Sequence, residues 1–325
     1  MQAIVMTGVG GPEVLVAREV DEPSPQPGEL LVRVEAVPVL YPETMLRSGM
    51  FPTPAPTPTV FGTQAVGVVT AVADDVDPEW KGQRVLVARN DFGSYAEWMC
   101  APAESAVRVP DTLSPDAAAA VAMSGSVALT LLETAALSGG ETVLIEAAAT
   151  GIGGYLTQLA RRAGAAHIIA TAGGAAKIER ARELGAHTVV DHRDPDWPRR
   201  LGERLGDTTV DVVFDSIGGE SAAAVLDLMT PLRGRMLGYG WLSGAPAEVT
   251  TMDLIMRGLT FTGCSGPQWL ARVAATRAAA FELAAAGDLT VLIDSVLALT
   301  DAAEAHRRVD ERSTVGTIVL RPESV

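Results

Sequence analysis

The sequence predicts an α/β protein: a doubly wound parallel sheet in the middle of the chain, and a small all-β barrel assembled from its two ends. Three observations point there. Between about residues 142 and 264, apolar strand-like runs alternate with helical segments. The first third instead holds short strands separated by turn clusters such as Pro23-Ser-Pro-Gln-Pro-Gly28. A small-residue turn, Ala147-Ala-Ala-Thr150-Gly-Ile-Gly153, joins a strand directly to a helix.

Taken in order, strands are expected over 30–39 and 65–72 in the first part. The apolar run between Asp116 and Glu133 is too short for a membrane span of about 20 residues, and Ser124, Gly125, Ser126 and Thr130 interrupt it. In the middle, strands are expected over 143–145, 167–171, 188–190, 210–214, 235–239 and 259–262. Helices lie between them, one over 175–184 with Gly185 as its stop. The tail offers a helix over 270–286 and a last strand over 317–320, expected to fold back onto the first domain and leave a cleft. The domains are therefore 1–121 with 266–325, and 122–265. Residues 51–58, Phe51-Pro-Thr-Pro-Ala-Pro-Thr-Pro58, read as a stiff connecting loop rather than a partner-binding motif.

Composition narrows the function classes. The chain has 325 residues, long enough for two domains, and 48% of them are hydrophobic, enough for a sizeable core. A net charge of −15 with no basic run beyond pairs such as Arg161-Arg162 disfavours nucleic acid and anionic membrane as partners. The N-terminal residues lack the pattern of a signal peptide, so a soluble cytoplasmic protein is expected. Cys100 and Cys264 stand far apart and form no CxxC pair, so both read as packed thiols.

The turn at 147–153 has the chemistry of a dinucleotide site. Small residues let the backbone approach a pyrophosphate, and free N–H groups at the helix start face its charge. NAD sites usually carry an acid about 20 residues further on, for the ribose hydroxyls. Here the second strand ends Ile169-Ala-Thr-Ala-Gly-Gly174 without one, and Lys177, Arg180, His192 and Arg193 follow. Cations without the acid favour the 2′-phosphate of NADPH. Arg180 serves equally well as part of a solvated helix face.

Several segments, in order along essentially the whole chain, resemble the medium-chain dehydrogenase/reductase superfamily and, within it, the zinc-free quinone oxidoreductases. They are Gly10-Gly-Pro-Glu-Val-Leu15, Arg47-Ser-Gly49, Gly62-Thr-Gln-Ala-Val-Gly-Val-Val69 and Lys81-Gly-Gln-Arg-Val85. Further on come 147–153, which has Thr150 where a glycine is usual, Asp211-Val-Val-Phe-Asp-Ser-Ile-Gly-Gly219 and Gly316-Thr-Ile-Val-Leu-Arg-Pro322. The resemblance implies a GroES-like β-barrel catalytic domain of split termini, a central Rossmann domain and a homodimer. The leading expectation is NADPH-dependent reduction of a quinone, enone or related conjugated carbonyl. The alternatives are an enoyl-thioester or polyketide-tailoring reductase, or a non-redox enzyme or NADPH-binding sensor.

The same resemblance implies site residues. Lys177 and His192 hold positions that touch the 2′-phosphate, while Gly174 stands where Ser or Thr is common. Ala149, Thr150, Gly151, Ile152, Gly153, Thr171, Ser216, Gly238, Tyr239 and Cys264 complete the cofactor set, with Ser126 beside the nicotinamide-side position 127. Zinc-dependent relatives use Cys, His and Glu at the positions of Leu40, Thr63 and Gln64, none of which supplies such a ligand here, so no metal is expected. His167, His187 and His306 read as structural. In the substrate-side loop, the usual Asn, Asp and two Tyr are replaced by Leu40, Glu43, Met45 and Phe51, giving a more apolar wall that also includes Gln64 and Trp241. Trp241 and Trp269 are candidates either to roof the cleft or to pack. Tyr41 is the remaining phenol, a candidate proton donor or carbonyl anchor with packing as its alternative role.

Overall fold

A computed structural model describes residues 1–51, 55–89 and 91–323. Residues 52–54 of the expected stiff loop lie outside the described residues. The chain divides into two compact units, Met1–Met123 with Arg277–Val325 and Ser124–Thr276.

The first unit is built on the ten-residue strand Glu29–Pro38, whose Leu, Val and Ala side chains are mostly buried. It pairs antiparallel with Gln64–Val72, Trp98–Pro102 and Thr317–Arg321, so the C-terminal strand lies beside one from the first forty residues. Ile293–Ala298 extends this sheet in parallel. A second, three-stranded sheet centres on Gln2–Met6. The Ile4 N–H donates to the Tyr95 carbonyl at 2.8 Å, tying strand Gln2–Met6 to a loop of the larger sheet. Ile4, Val32, Phe61, Val85, Met99 and Leu320 share one core.

The second unit alternates strand and helix. Its strands are β1 (Thr142–Ile145), β2 (His167–Ala172), β3 (Thr188–Asp191), β4 (Val212–Asp215), β5 (Arg235–Gly238) and β6 (Thr260–Gly263). Between them run α1 (Gly151–Arg162), α2 (Ala175–Glu183), α3 (Trp197–Leu205), α4 (Gly219–Ala224) and α5 (Thr251–Arg257), and α6 (Pro267–Ala275) follows. All six strands are parallel, in the order β3-β2-β1-β4-β5-β6. The order reverses between β1 and β4, the switch point beside which doubly wound sheets bind ligands. Strands β1 and β4 are buried throughout, as strands covered on both faces must be.

Four expectations need correction. The helix expected over 270–286 is two, α6 and Arg277–Ala285, divided at Thr276. The Thr276 hydroxyl donates to the Ser126 carbonyl at 3.1 Å, which holds 266–276 with the second unit rather than the first. The substrate-side loop contains a helix, Tyr41–Ser48. Pro42 sits in its first turn, the Glu43 carboxylate accepts from the Leu40 N–H at 3.1 Å, and Gly49 closes it in a left-handed conformation. Finally, Pro115–Ala135 is a 21-residue helix, long and apolar enough by composition to cross a membrane; 67% of its apolar stretch is buried within the protein. The interrupting Ser126 and Thr130 stay helical because the Thr130 hydroxyl bonds back to the Ser126 carbonyl.

Candidate functional site

In the second unit, β1 delivers Glu146 and then a tight turn. Ala147 takes a left-handed φ of 49°. The turn is pinned from beside it: Ala148 N–H donates to the Thr171 carbonyl at 2.9 Å and Ala147 N–H to the Thr171 hydroxyl at 3.2 Å. From below, the Thr157 hydroxyl reaches the Ala148 carbonyl at 3.1 Å. Gly153 is required for packing, since a Cβ there would run into the Ala147 carbonyl. Thr150 makes no side-chain cap, and the first intrahelical bond is from Gly154 N–H to Thr150 carbonyl. The N–H groups of Gly151, Ile152 and Gly153 therefore project from the helix start, and the space above Gly151 is open.

At the far end of β2, Ala172 is in register with Asp191 of β3. The Asp191 carboxylate accepts from the Gly174 N–H at 3.4 Å, the Arg193 N–H at 3.0 Å and the Arg193 guanidinium at 2.9 Å. That ion pair holds it well below the usual carboxylate range. His192 contacts the Thr171 hydroxyl at 3.2 Å. A Cβ on Gly173 would meet His192 Nε2 at 2.8 Å, and one on Gly174 would meet the Arg193 guanidinium at 2.9 Å. Lys177, half-buried, lies in the first turn of α2. His192, Arg193 and Asp191 thus surround the Gly173-Gly174 turn.

At the switch point, Glu146 and Asp215 meet. Asp215 Oδ1 accepts from the Ile217 and Gly218 N–H groups at 2.9 and 2.8 Å, and Ser221 donates to Glu146 Oε1 at 2.7 Å. Glu146 Oε2 and Asp215 Oδ2 are buried with no donor among the described residues. Burial first, and Asp215 second, push Glu146 well above the usual carboxylate range. The Tyr239 and Ser216 hydroxyls are buried nearby, and burial likewise raises Tyr239.

The expected cofactor residues therefore separate. Thr150, Gly151, Ile152, Lys177, His192, Gly238 and Tyr239 remain partly accessible. Ala149, Gly153 and Ser216 are buried, and Thr171 is spent on the turn. Ser126 is fully buried, its carbonyl taken by Thr130 and Thr276. Cys264 is buried with its thiol pushed up to about 11 by burial. Sequence reasoning missed the Asp191–Arg193 pair and the Glu146–Asp215 pair. Strand register brings Glu146 to Asp215 and sets Asp191 beside Ala172, while the Asp191–Arg193 pair itself is local, two residues apart.

In the first unit, Tyr41 opens its helix and is partly exposed, and Phe51 is 36% exposed. Leu40, Met45 and Gln64 are buried, with Gln64 Oε1 lacking a donor among the described residues. Glu43, expected in the substrate wall, is instead 1% exposed. Its carboxylate accepts from Leu40 N–H, Thr63 N–H at 2.9 Å, the Thr63 hydroxyl at 2.8 Å and the Tyr95 hydroxyl at 3.0 Å. It anchors the helix start to strand Gln64–Val72. In the second unit, Trp241 is 37% exposed, and the indole N–H of Trp269 is buried without a partner among the described residues.

Residues 26–111 match the alcohol dehydrogenase GroES-like domain model, and 151–285 the zinc-binding dehydrogenase model. A zinc ion does not fit Leu40, Thr63 and Gln64: one is aliphatic, one is engaged by Glu43, and one is an amide. Quinone oxidoreductase of Pseudomonas aeruginosa is 33% identical over 98% of this chain and 99% of its own. A Burkholderia 2-haloacrylate reductase is 33% identical over the full length of both. The structure of Escherichia coli quinone oxidoreductase complexed with NADPH superimposes with a TM-score of 0.89, at 33% identity over 99% of this chain and 100% of that one. The chain belongs to the medium-chain dehydrogenase/reductase superfamily, in its quinone oxidoreductase-like group.

Proposed function

We propose that the protein is an NADPH-dependent oxidoreductase that reduces a conjugated carbonyl, such as a quinone or enone, without a metal. The observation that carries this reading is the pair of built ends in the second unit. One is a helix start with three projecting N–H groups and open space above Gly151. The other is a ribose end where β2 carries no acid and Lys177, His192 and Arg193 gather. Both suit a dinucleotide with an extra phosphate. The similarity to quinone oxidoreductase and 2-haloacrylate reductase supports a substrate with an activated double bond.

When bound, NADPH supplies hydride to the electrophilic carbon and leaves as NADP⁺. The chain's part is to hold the cofactor and to deliver a proton to the oxygen or carbon that gains the electron pair. At α1 the N–H groups hold the pyrophosphate, and Lys177 and His192 hold the 2′-phosphate. Tyr41, partly exposed at its helix start, is assigned as proton donor or carbonyl anchor, with water as the other proton source. Leu40, Met45 and Phe51 make the surrounding wall apolar. Exposed Leu232, Met252, Ile255 and Met256, with β6 at the sheet edge, support a homodimer, which light scattering of the purified protein tests. A cytoplasmic location fits the same reading.

The test follows NADPH absorbance with a panel of quinones, enones and enoyl thioesters. The expected result is oxidation by at least one quinone or enone, with Tyr41→Phe lowering kcat about 100-fold. Unchanged turnover in Tyr41→Phe removes its assigned role. A second reading has two supports: Phe51, in a position where the resemblance implies a tyrosine, cannot donate a proton, and Glu43 is withdrawn into the core. Tight NADPH binding with no oxidation by any panel member would favour that reading, a non-redox enzyme or a cofactor-binding sensor.

A further inference from the structure

We propose that Arg193 is the residue that selects NADPH over NADH, and that Asp191 both aims it and, once freed of it, rejects the 2′-phosphate. The inference rests on the dinucleotide reading above; it gives Arg193, one of several nearby cations, a specific role and adds Asp191, which the sequence did not single out.

The geometry begins with Gly174. Its φ of 88° lies in the left-handed region, and the volume a side chain would enter is filled by the Arg193 guanidinium, 2.9 to 3.0 Å from an ideal Cβ. A hydroxyl side chain at this position has no room while Arg193 is seated. The cation therefore lies over the turn that follows β2, where a doubly wound sheet receives the ribose of its dinucleotide. A guanidinium meets a phosphate through two parallel N–H···O bonds, which neither a hydroxyl nor an ammonium offers.

Asp191 sets the aim. Its two oxygens take the Arg193 backbone N–H, Nε at 3.1 Å and the terminal nitrogen at 2.9 Å, which clamps the side chain against the Gly173-Gly174 turn. Strand register places this carboxylate beside Ala172, at the end of β2, and it also accepts from the Gly174 N–H. The acid missing from β2 is thus supplied by the neighbouring strand, one position across the sheet. Paired with Arg193, it is neutralised. Unpaired, it is an acceptor suited to ribose hydroxyls and repels a phosphate. Arg193 is 64% exposed, so the pair can open toward a ligand without disturbing the core.

The experiment measures dissociation constants of NADPH and NADH by tryptophan quenching and by calorimetry for four proteins: the unchanged chain, Arg193→Gln, Asp191→Asn and the double variant. The unchanged chain is expected to prefer NADPH. Arg193→Gln should weaken NADPH about 10- to 100-fold and change NADH less than about threefold. Removing the freed carboxylate in the double variant should recover part of the lost NADPH affinity. Asp191→Asn alone should leave the preference for NADPH in place. Equal weakening of both cofactors by Arg193→Gln, retention of the full preference, or no recovery in the double variant overturns the inference. Equal binding of both cofactors by the unchanged chain also overturns the inference, whereas failure to bind either cofactor overturns the dinucleotide reading instead.

Discussion

Glu43 in the first unit and Glu146 in the second are both almost fully buried at the end of a structural element, and the two are handled in opposite ways. Glu43, in the first unit, is ringed by four donors. Glu146, in the second, receives one hydroxyl and faces another carboxyl group across the switch point. Burial raises both; at Glu43 hydrogen bonds from Leu40, Thr63 and Tyr95 oppose it, whereas at Glu146 the neighbouring Asp215 adds to it and the Ser221 and Ile217 hydrogen bonds oppose it. A carboxylate with every lone pair occupied is a fastener; it has nothing left for a substrate. At the switch point, Glu146 Oε2 and Asp215 Oδ2 are left without a donor among the described residues. The difference lies between these two glutamates and not between whole units, since Gln64 Oε1 in the first unit also lacks a donor among the described residues.

The largest expected effect tests the fastener. Glu43→Ala should leave the Leu40 and Thr63 N–H groups and the Tyr95 and Thr63 hydroxyls without their acceptor, lowering stability by about 4 kcal/mol. Urea unfolding at unchanged slope reads this directly, and a loss below about 1 kcal/mol would show that the donors find water instead. In the second unit, Gly153→Ala should cost about 2 kcal/mol by forcing α1 off the Ala147 carbonyl. It should weaken dinucleotide binding as well, because the turn and the helix start move together. Normal affinity in a destabilised variant would separate packing from binding.

The pH dependence sharpens the contrast further. His306, in the first unit, is buried against Tyr95 at 2.9 Å, and burial holds it down to about 3. The Tyr95 proton goes to Glu43, so His306 Nε2 must be the donor to Tyr95 and the ring is neutral. The folded state binds fewer protons than the unfolded chain between about 3 and 6.5. Stability is therefore whole above 6.5 and is lost as pH falls through that window, by up to about 1.4 kcal/mol per pH unit. Glu146 has the reverse sign. Its raised folded value means that the native state holds the extra proton, so stability falls as pH rises above about 4.5. His306→Gln should flatten the acid limb of a stability-against-pH curve, and Glu146→Gln the rising-pH limb. Glu43, also raised by burial, adds to the rising-pH limb from the first unit, so crossed effects would break the assignment of each slope to its residue and not to its unit.

Much of the second unit was legible because its elements are written locally. Strands 142–145 and 212–215 are runs of apolar, mostly β-branched or aromatic side chains, and the small-residue turn at 147–153 announces a strand-to-helix crossing. The six-strand order follows from right-handed crossovers once the elements are known. The first unit was harder to read. Its helix Tyr41–Ser48 depends on a left-handed Gly49 and on Glu43 reaching Thr63 of another segment, and the length of Pro115–Ala135 depends on burial that tolerates Ser126 and Thr130. Tertiary context overrode weak local propensity in both places.

By itself the sequence determined the alternation of elements, the dinucleotide turn, the absence of an acid at the end of β2 and the unusual substrate-side segment. These are properties of neighbouring residues, set by backbone stereochemistry and by the spacing of apolar side chains. Which polar groups are spent and which are kept was decided only by the tertiary structure. Glu43 was read as a substrate contact and became a fastener, because Thr63 and Tyr95 come from distant parts of the chain. Asp191 was passed over and became the neighbour of Ala172, because parallel strand register brings together side chains 19 residues apart. A hydrogen bond acts over about 3 Å, and a linear chain does not state which groups lie within that distance until it has folded.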